Sequence, residues 1–195
     1  MSNLFKIYIF LRKGDNVSAS EITKQAIVSS TKELVCEKDF EKISVIEIAT
    51  RCSINRNTFY YYFKDKYEVI EFVFESEIKP VLAPYEGNKD LALSVSALCR
   101  HLKREKTFYA HILRCIGHCS LRQMLVRYYN QYLLDAAREN CKRLEIPEES
   151  RNIIAKFYAH GTVGMICEWA ETGMKKDADV ATRIIQLSAM EQFFV

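Results

Sequence analysis

Two groups of side chains in this sequence are of types and spacings that could do chemistry. His111, Cys115, His118 and Cys119 recur at three- and four-residue steps, so on one continuous helix 111, 115 and 118 or 119 would share a face. Imidazole and thiolate together suit a soft or borderline metal, or a reactive-thiol sensor. Gly117 breaks that spacing and no carboxylate or further cysteine pair lies beside it. Ordinary packing is therefore the expected role, with no bound metal and no cofactor. The second group is Arg56, Asn57, Tyr60, Tyr61, Lys64 and Lys66. Arginine suits a guanine edge and asparagine an adenine edge, while the two lysines are natural phosphate contacts. One of Tyr61 and Tyr62 is expected to pack against the helices before and after this segment instead.

The surrounding residues predict how the second group is held. Ser44 followed by Glu47 is a capping box, so a helix should start just after Ser44, with Ile48 and Ala49 on its inner side. Cys52-Ser53-Ile54 ends that pattern, and Asn55 is a good N-cap for a second helix from Arg56 to about Tyr62. Phe59 and Phe63 lie four apart and share its inner face, leaving the polar and tyrosine side chains outside. Asp65 and Glu68 form a further capping box for the next helix. Two helices joined by a tight turn, the second with a polar aromatic outer face, is the layout of a DNA-reading helix-turn-helix.

The run ISVIEIATRCSINRNTFYYYFKDK, residues 43–66, resembles the DNA-binding signature of the TetR family of bacterial transcriptional regulators. Ser44-Val45, Ile48-Ala49, Thr58-Phe59-Tyr60, Phe63-Lys64 and Lys66 match that signature. Ser53 and Asp39 stand where the family usually has glycine for a left-handed turn. The resemblance implies that Ser44 belongs to the DNA-binding surface, that Thr58 offers a hydroxyl to a phosphate, and that Tyr60 reaches a phosphate or base edge. It also implies a homodimer on double-stranded operator DNA, with operator affinity controlled through the C-terminal domain.

Composition agrees with this. An apolar content of 49% supports a proper core, and only six Gly and three Pro among 195 residues favour long helices over a turn-rich β fold. Residues 1–66 hold 11 Lys+Arg against 8 Asp+Glu, whereas residues 67–195 hold 17 of each. All the excess positive charge thus lies with the helix-turn-helix, the sign needed for phosphate. No apolar run approaches the length of a membrane span, so no membrane partner is expected. The odd count of seven cysteines, with no signal-peptide pattern ahead of them, predicts reduced thiols and a cytoplasmic location. There is no Gly-rich phosphate loop after a strand, no G-x-S-x-G and no H-E-x-x-H. An enzyme is not expected, and no residue is singled out as catalytic.

In chain order, the apolar run 4–11 has no functional reading. Ser18 and Glu21 predict a helix over about 19–37, and residues 66–79 a helix buried on more than one side. Pro80 and Pro84 end that helix, and Tyr85-Glu86-Gly87-Asn88 is the best linker. The expected division is 18–66 for the helix-turn-helix domain, 67–87 for a connecting helix and linker, and 88–195 for a helical regulatory and dimerisation domain. The architecture is all-α, a three-helix DNA-binding domain followed by a helical bundle, about nine helices in total. Predicted helices of the bundle start at Leu91, after Thr107, after Ser120, after Pro147 and near Asp179. The segment FYAHGTVGMICEWAETGM, residues 157–174, resembles the C-terminal region of a TetR branch that includes regulators related to dihydroxyacetone-kinase activators.

Dimerisation is expected through about 150–172 and 179–194, with Met165, Ile166, Trp169, Ile184, Ile185 and Leu187 supplying apolar surface. Phe108, Tyr128, Tyr132, Phe157 and Trp169 are rings of an ordinary helical core or, in the second reading, the lining for a small, mostly apolar or aromatic effector. A protein-partnered co-regulator of the same fold, and a metal or thiol sensor using the 111–119 cluster, are the alternatives.

Overall fold

The computed structural model describes residues 18–86, 90–115, 120–140 and 147–175; these are helical with connecting turns, and no strand occurs among them. The chain divides into two compact units, Met1–Val73 and Phe74–Val195.

Unit 1 contains α1 (Ala19–Glu37), a 3-10 turn at Phe40–Lys42, α2 (Val45–Arg51), α3 (Arg56–Tyr62) and α4 (Lys66–Val73). Ser18 caps α1 by accepting from the Glu21 N–H at 3.2 Å, but Glu21 turns to Gln25 at 3.0 Å. Ser44 and Glu47 make the reciprocal capping box at α2. Asn55 caps α3 through the Thr58 N–H at 2.7 Å, and Asp65 accepts from Tyr67 and Glu68 at the head of α4. Ile27, Leu34 and Val35 of α1 close with Ile48, Phe59, Phe63, Val69 and Ile70 over a dry core that also takes in Phe40 and Ile43. Ser53 occupies the left-handed region at φ 60°, as the missing glycine requires. Asp39 does not: its φ of −54° is one any residue adopts, so the chain turns there without a special conformation.

Charge ties α2 to α1. The Arg51 guanidinium grips both carboxylate oxygens of Glu37 at 2.8 Å, and Lys38 pairs with Glu47. The Lys38 ammonium, with the Ser44 N–H and hydroxyl, holds the Glu47 carboxyl down at about 2, against an ordinary value of 4.5. A depressed carboxyl stabilises the fold above its unfolded value and loses that contribution as pH falls through the folded one. The anchoring of α2 should therefore weaken between about pH 4.5 and 2. Urea unfolding at stepped pH checks this: Glu47→Gln should start less stable and show a flatter response across the same window.

Unit 2 opens on a π-helical turn, Phe74–Ile78, then α5 (Lys79–Leu82) and a 3-10 turn at Ala83–Tyr85. The sequence pattern predicts one continuous helix from about 66 to 79, ended by Pro80 and Pro84. Pro80 explains the difference: it has no N–H for the Ser76 carbonyl and its ring crowds that carbonyl, so the α-helical register gives way one turn earlier. There follow α6 (Leu91–Arg104), α7 (Lys106–Arg114), α8 (Leu121–Asn140) and α9 (Glu148–Glu171). Asp90 caps α6 through Leu93 at 2.9 Å, and Ser120 caps α8 through Gln123 at 3.4 Å. Thr107 does not cap α7; that helix begins one residue earlier, behind Glu105, without a side-chain cap. After α9, Gly173 and Met174 take positive φ, and the Met174 N–H closes on the Trp169 carbonyl at 3.0 Å.

The small residues Ala155 and Ala159 of α9 are buried, as are Leu125 and Tyr129 of α8, and the two helices pack along each other. Among the described residues no helix is long and apolar enough to cross a membrane. The run 4–11 lies outside the described residues, as do His118, Cys119, Ile184, Ile185 and Leu187.

Candidate nucleic-acid interface

In α3 the seven residues Arg56–Tyr62 are split cleanly between core and solvent. Phe59 is fully buried, stacked edge-on against Tyr60 and tilted against Phe63, and Phe63 meets Phe72 of α4. That packing fixes the roll of α3 and leaves Arg56, Asn57, Tyr60 and Tyr61 in solvent, Tyr61 at 80% exposure. Tyr62 is half-buried and meets Tyr61 edge-on.

The exposed groups are partly preorganised. Arg56 folds back along the helix, its Nη2 donating to the Tyr60 phenol oxygen at 3.1 Å with the guanidinium 5.2 Å from the ring centroid. The plane of the guanidinium is thereby held beside the Tyr60 ring, with its remaining N–H groups left to donate outward. Thr58 spends its hydroxyl on Asn55 Oδ1 at 3.1 Å, and Ser44 spends its own within the Glu47 capping box. The Ser44 hydroxyl serves first as a cap, accepting from the Glu47 N–H, while that of Thr58 braces the Asn55 cap by donating to it. Ile46 on α2 is 56% exposed, an apolar side chain on the solvent side of this unit that the inward-facing pattern of Ile48 and Ala49 did not single out.

Lys64 is exposed, as a phosphate contact requires. Lys66 is not placed for that task. Its Nζ donates to the carbonyls of Phe40 and Glu41 at 2.8 Å and of Ile43 at 3.0 Å, and its side chain is only 12% exposed. An ammonium has three N–H donors, and all three are used. Lys66 is a staple on the 3-10 turn, and the expectation of a phosphate contact is corrected on that ground.

Residues 27–73, spanning all of this surface, match the family model described as bacterial regulatory proteins, tetR family. Residues 90–190, just over half the chain, match that of a transcriptional regulator C-terminal region. The chain belongs to the TetR family of transcriptional regulators. Among curated relatives, the HTH-type dhaKLM operon transcriptional activator DhaS of Lactococcus lactis subsp. lactis (strain IL1403) is 28% identical over 97 residues, covering 50% of this chain and 52% of the relative. The transposon Tn10 TetC protein of Escherichia coli is 28% identical over 76 residues, covering 39% of each. The chain thus spans about half the length, or less, of the curated relatives it matches. Its fold is similar to the solved structure of the dihydroxyacetone kinase operon activator DhaS, with a TM-score of 0.63 at 19% identity over 87% of this chain and 96% of that one. It is also similar to RolR in complex with the ligand resorcinol, with a TM-score of 0.53 at 19% identity over 86% and 88%. These TetR relatives are regulators rather than enzymes.

The TetR C-terminal residues fall in two classes. Phe108, Tyr132 and Trp169 are buried in unit 2. Tyr128 is half-buried, its hydroxyl bound to Glu86 at 3.0 Å. Phe157 is 74% exposed, so it lines no interior site and that expectation is corrected. Ile166 at 0% and Trp169 at 6% exposure face the core of unit 2, which removes both from any surface for a partner subunit. Met165 is half-buried at the edge of the outer face of α9. The large apolar side chains that do project from α9 are Ile153, Ile154 and Phe157, beside the exposed polar Lys156 and His160. Sequence spacing missed this division because α9 is apolar on nearly every side, and an all-round pattern cannot say which side is covered. The Cys115 thiol donates to the His111 carbonyl at 3.6 Å, and no metal-holding group of side chains occurs among the described residues.

Proposed function

We propose that this regulator reads duplex operator DNA with the outer face of α3, and that its operator affinity is controlled through unit 2. The observation that carries the reading is the split of α3: Phe59 fully buried, with Arg56, Asn57, Tyr60 and Tyr61 presented together in solvent. A seven-residue helix with no partner would not be expected to display two phenol rings, a guanidinium and an amide on one side; a major groove accepts that set. Arg56, held against Tyr60, is the guanine reader, Asn57 the adenine reader, and Lys64 a phosphate contact. Arg56→Ala should lower affinity for a duplex selected from a random pool by about 1–3 kcal/mol and relax one position of the site. Equal affinity of wild type and variant for that duplex, with the same base preference, would overturn the assignment.

The homodimer belongs to the same reading. The exposed apolar face of α9 supports it, and two copies would present two reading helices to successive major grooves. For the control of unit 2, the supporting observation is that two of its buried polar groups, the Tyr132 hydroxyl and the Trp169 Nε1–H, have no hydrogen-bond partner among the described residues. Burial, and then the charge of Asp90, push the Tyr132 phenol up to about 12, so it stays protonated and able to donate. A small, mostly apolar effector with a polar group for one of these positions suits them, in keeping with the resorcinol bound by RolR.

A further inference from the structure

Tyr109 of α7 is completely buried, yet its hydroxyl lies between two titratable side chains from other elements. It donates to Glu77 Oε2 at 3.2 Å, and His101 Nε2 lies 3.0 Å from the same oxygen. Counting protons fixes the direction of the chain. An ionised carboxylate only accepts, so the single phenol proton goes to Glu77. The phenol oxygen then accepts from His101, which must carry its proton on Nε2. Burial, with Glu77 and Glu105 beside it, pushes the phenol pKa far up, so Tyr109 remains a donor. Edge-on contact with Phe108 and the tilted His101 ring hold the Tyr109 ring in place.

Glu77 sits in the π-helical turn Phe74–Ile78, which Pro80 forces out of α-helical register. A π-turn is an uncommon and weak arrangement that persists only where its surroundings hold it. Phe74 follows directly on Val73, the last residue of unit 1, so a register change in this turn passes along the backbone to α4. We propose that His101, Tyr109 and Glu77 form a latch that fixes the register of Phe74–Ile78, and that control of unit 1 by unit 2 runs through its making and release. The latch joins α6 and α7 to the turn, so anything that shifts α6 or α7 acts on it. Only the coupling part rests on the DNA-binding reading above.

The test compares Tyr109→Phe, which removes one oxygen and no ring volume, with Glu77→Gln, whose amide oxygen still accepts. Amide hydrogen exchange without DNA decides the latch. Tyr109→Phe should speed exchange over residues 74–82 by about tenfold while α8 and α9 stay within about twofold, and Glu77→Gln should stay near wild type. Glu77→Ala, which removes no buried ring, is the second variant and should repeat the Tyr109→Phe signature. Unchanged exchange over 74–82, or an increase spread evenly over unit 2, overturns the latch. Affinity for the selected duplex should also change by about fivefold or more in Tyr109→Phe. An exchange response with no change in affinity overturns the coupling, whereas wild type selecting no duplex at all counts against the DNA-binding reading and leaves the exchange result standing.

Discussion

Lys66→Met should lower the stability of unit 1 by about 2–3 kcal/mol and leave the salt dependence of DNA binding almost unchanged. The side chain reaches back to the 3-10 turn and places its three N–H donors on the carbonyls of Phe40, Glu41 and Ile43. The ammonium also lies 4.9 Å from the Phe40 ring centroid and 5.4 Å from that of Tyr67. Hydrogen bonds from a charged donor contribute about 1.5–3 kcal/mol each, but taking the ammonium out of water offsets part of the sum. Methionine fills similar volume and donates nothing, so the three carbonyls lose their partner while the packing is largely kept. A phosphate-binding lysine would behave in the opposite way, with unchanged stability and a salt slope reduced by about one. Lys64→Ala should show that second pattern. Urea unfolding and salt-titrated operator binding on both variants separate the roles. An unshifted unfolding midpoint together with a shallower salt slope for Lys66→Met would restore the phosphate reading.

Lys66 also shows where sequence reasoning reaches its limit in unit 1. The caps at Ser44, Asn55 and Asp65 were legible because capping is local: donor and acceptor lie two to four residues apart, and the spacing itself carries the information. The polar face of α3 was legible for the same reason, since Phe59 and Phe63 fix which side turns inward. The target of Lys66 lies more than twenty residues away, so nothing in its immediate neighbours marks it as a staple rather than a surface charge. The π-turn at Phe74–Ile78 had a local signal in Pro80, but apolar periodicity on both sides of it hid the break. In α9 the difficulty was of another kind. Ile153, Ile154, Phe157, Ile166 and Trp169 are equally apolar as letters, and only packing against α8 and the rest of unit 2 sorts the covered from the exposed.

That sorting carries the largest expected effect. Phe157→Glu should raise the dissociation constant of the homodimer by about a hundredfold or more, because it places a charge in the middle of an apolar contact that must exclude water. Phe157 is 74% exposed, Ile153 62% and Ile154 47%, on a helix whose opposite side is buried. Further along the same helix are two glycines, Gly161 exposed and Gly164 half-buried. A Cβ added at either glycine meets nothing within 4 Å, so neither is required by the packing of unit 2 itself. Each glycine costs about 1 kcal/mol of helix stability relative to alanine, and close approach of a second helix is what would offset it. Gly161→Leu therefore separates the interface from the fold: it should keep or raise the thermal stability of the isolated chain while weakening dimerisation. Loss of the dimer should in turn weaken operator binding by about 10²–10⁴, since the second reading helix no longer binds at high effective concentration. Sedimentation equilibrium at low micromolar protein, with operator binding on the same samples, checks both variants. A Phe157→Glu protein that remains dimeric and binds operator like wild type would show that this face of α9 is not where two copies meet.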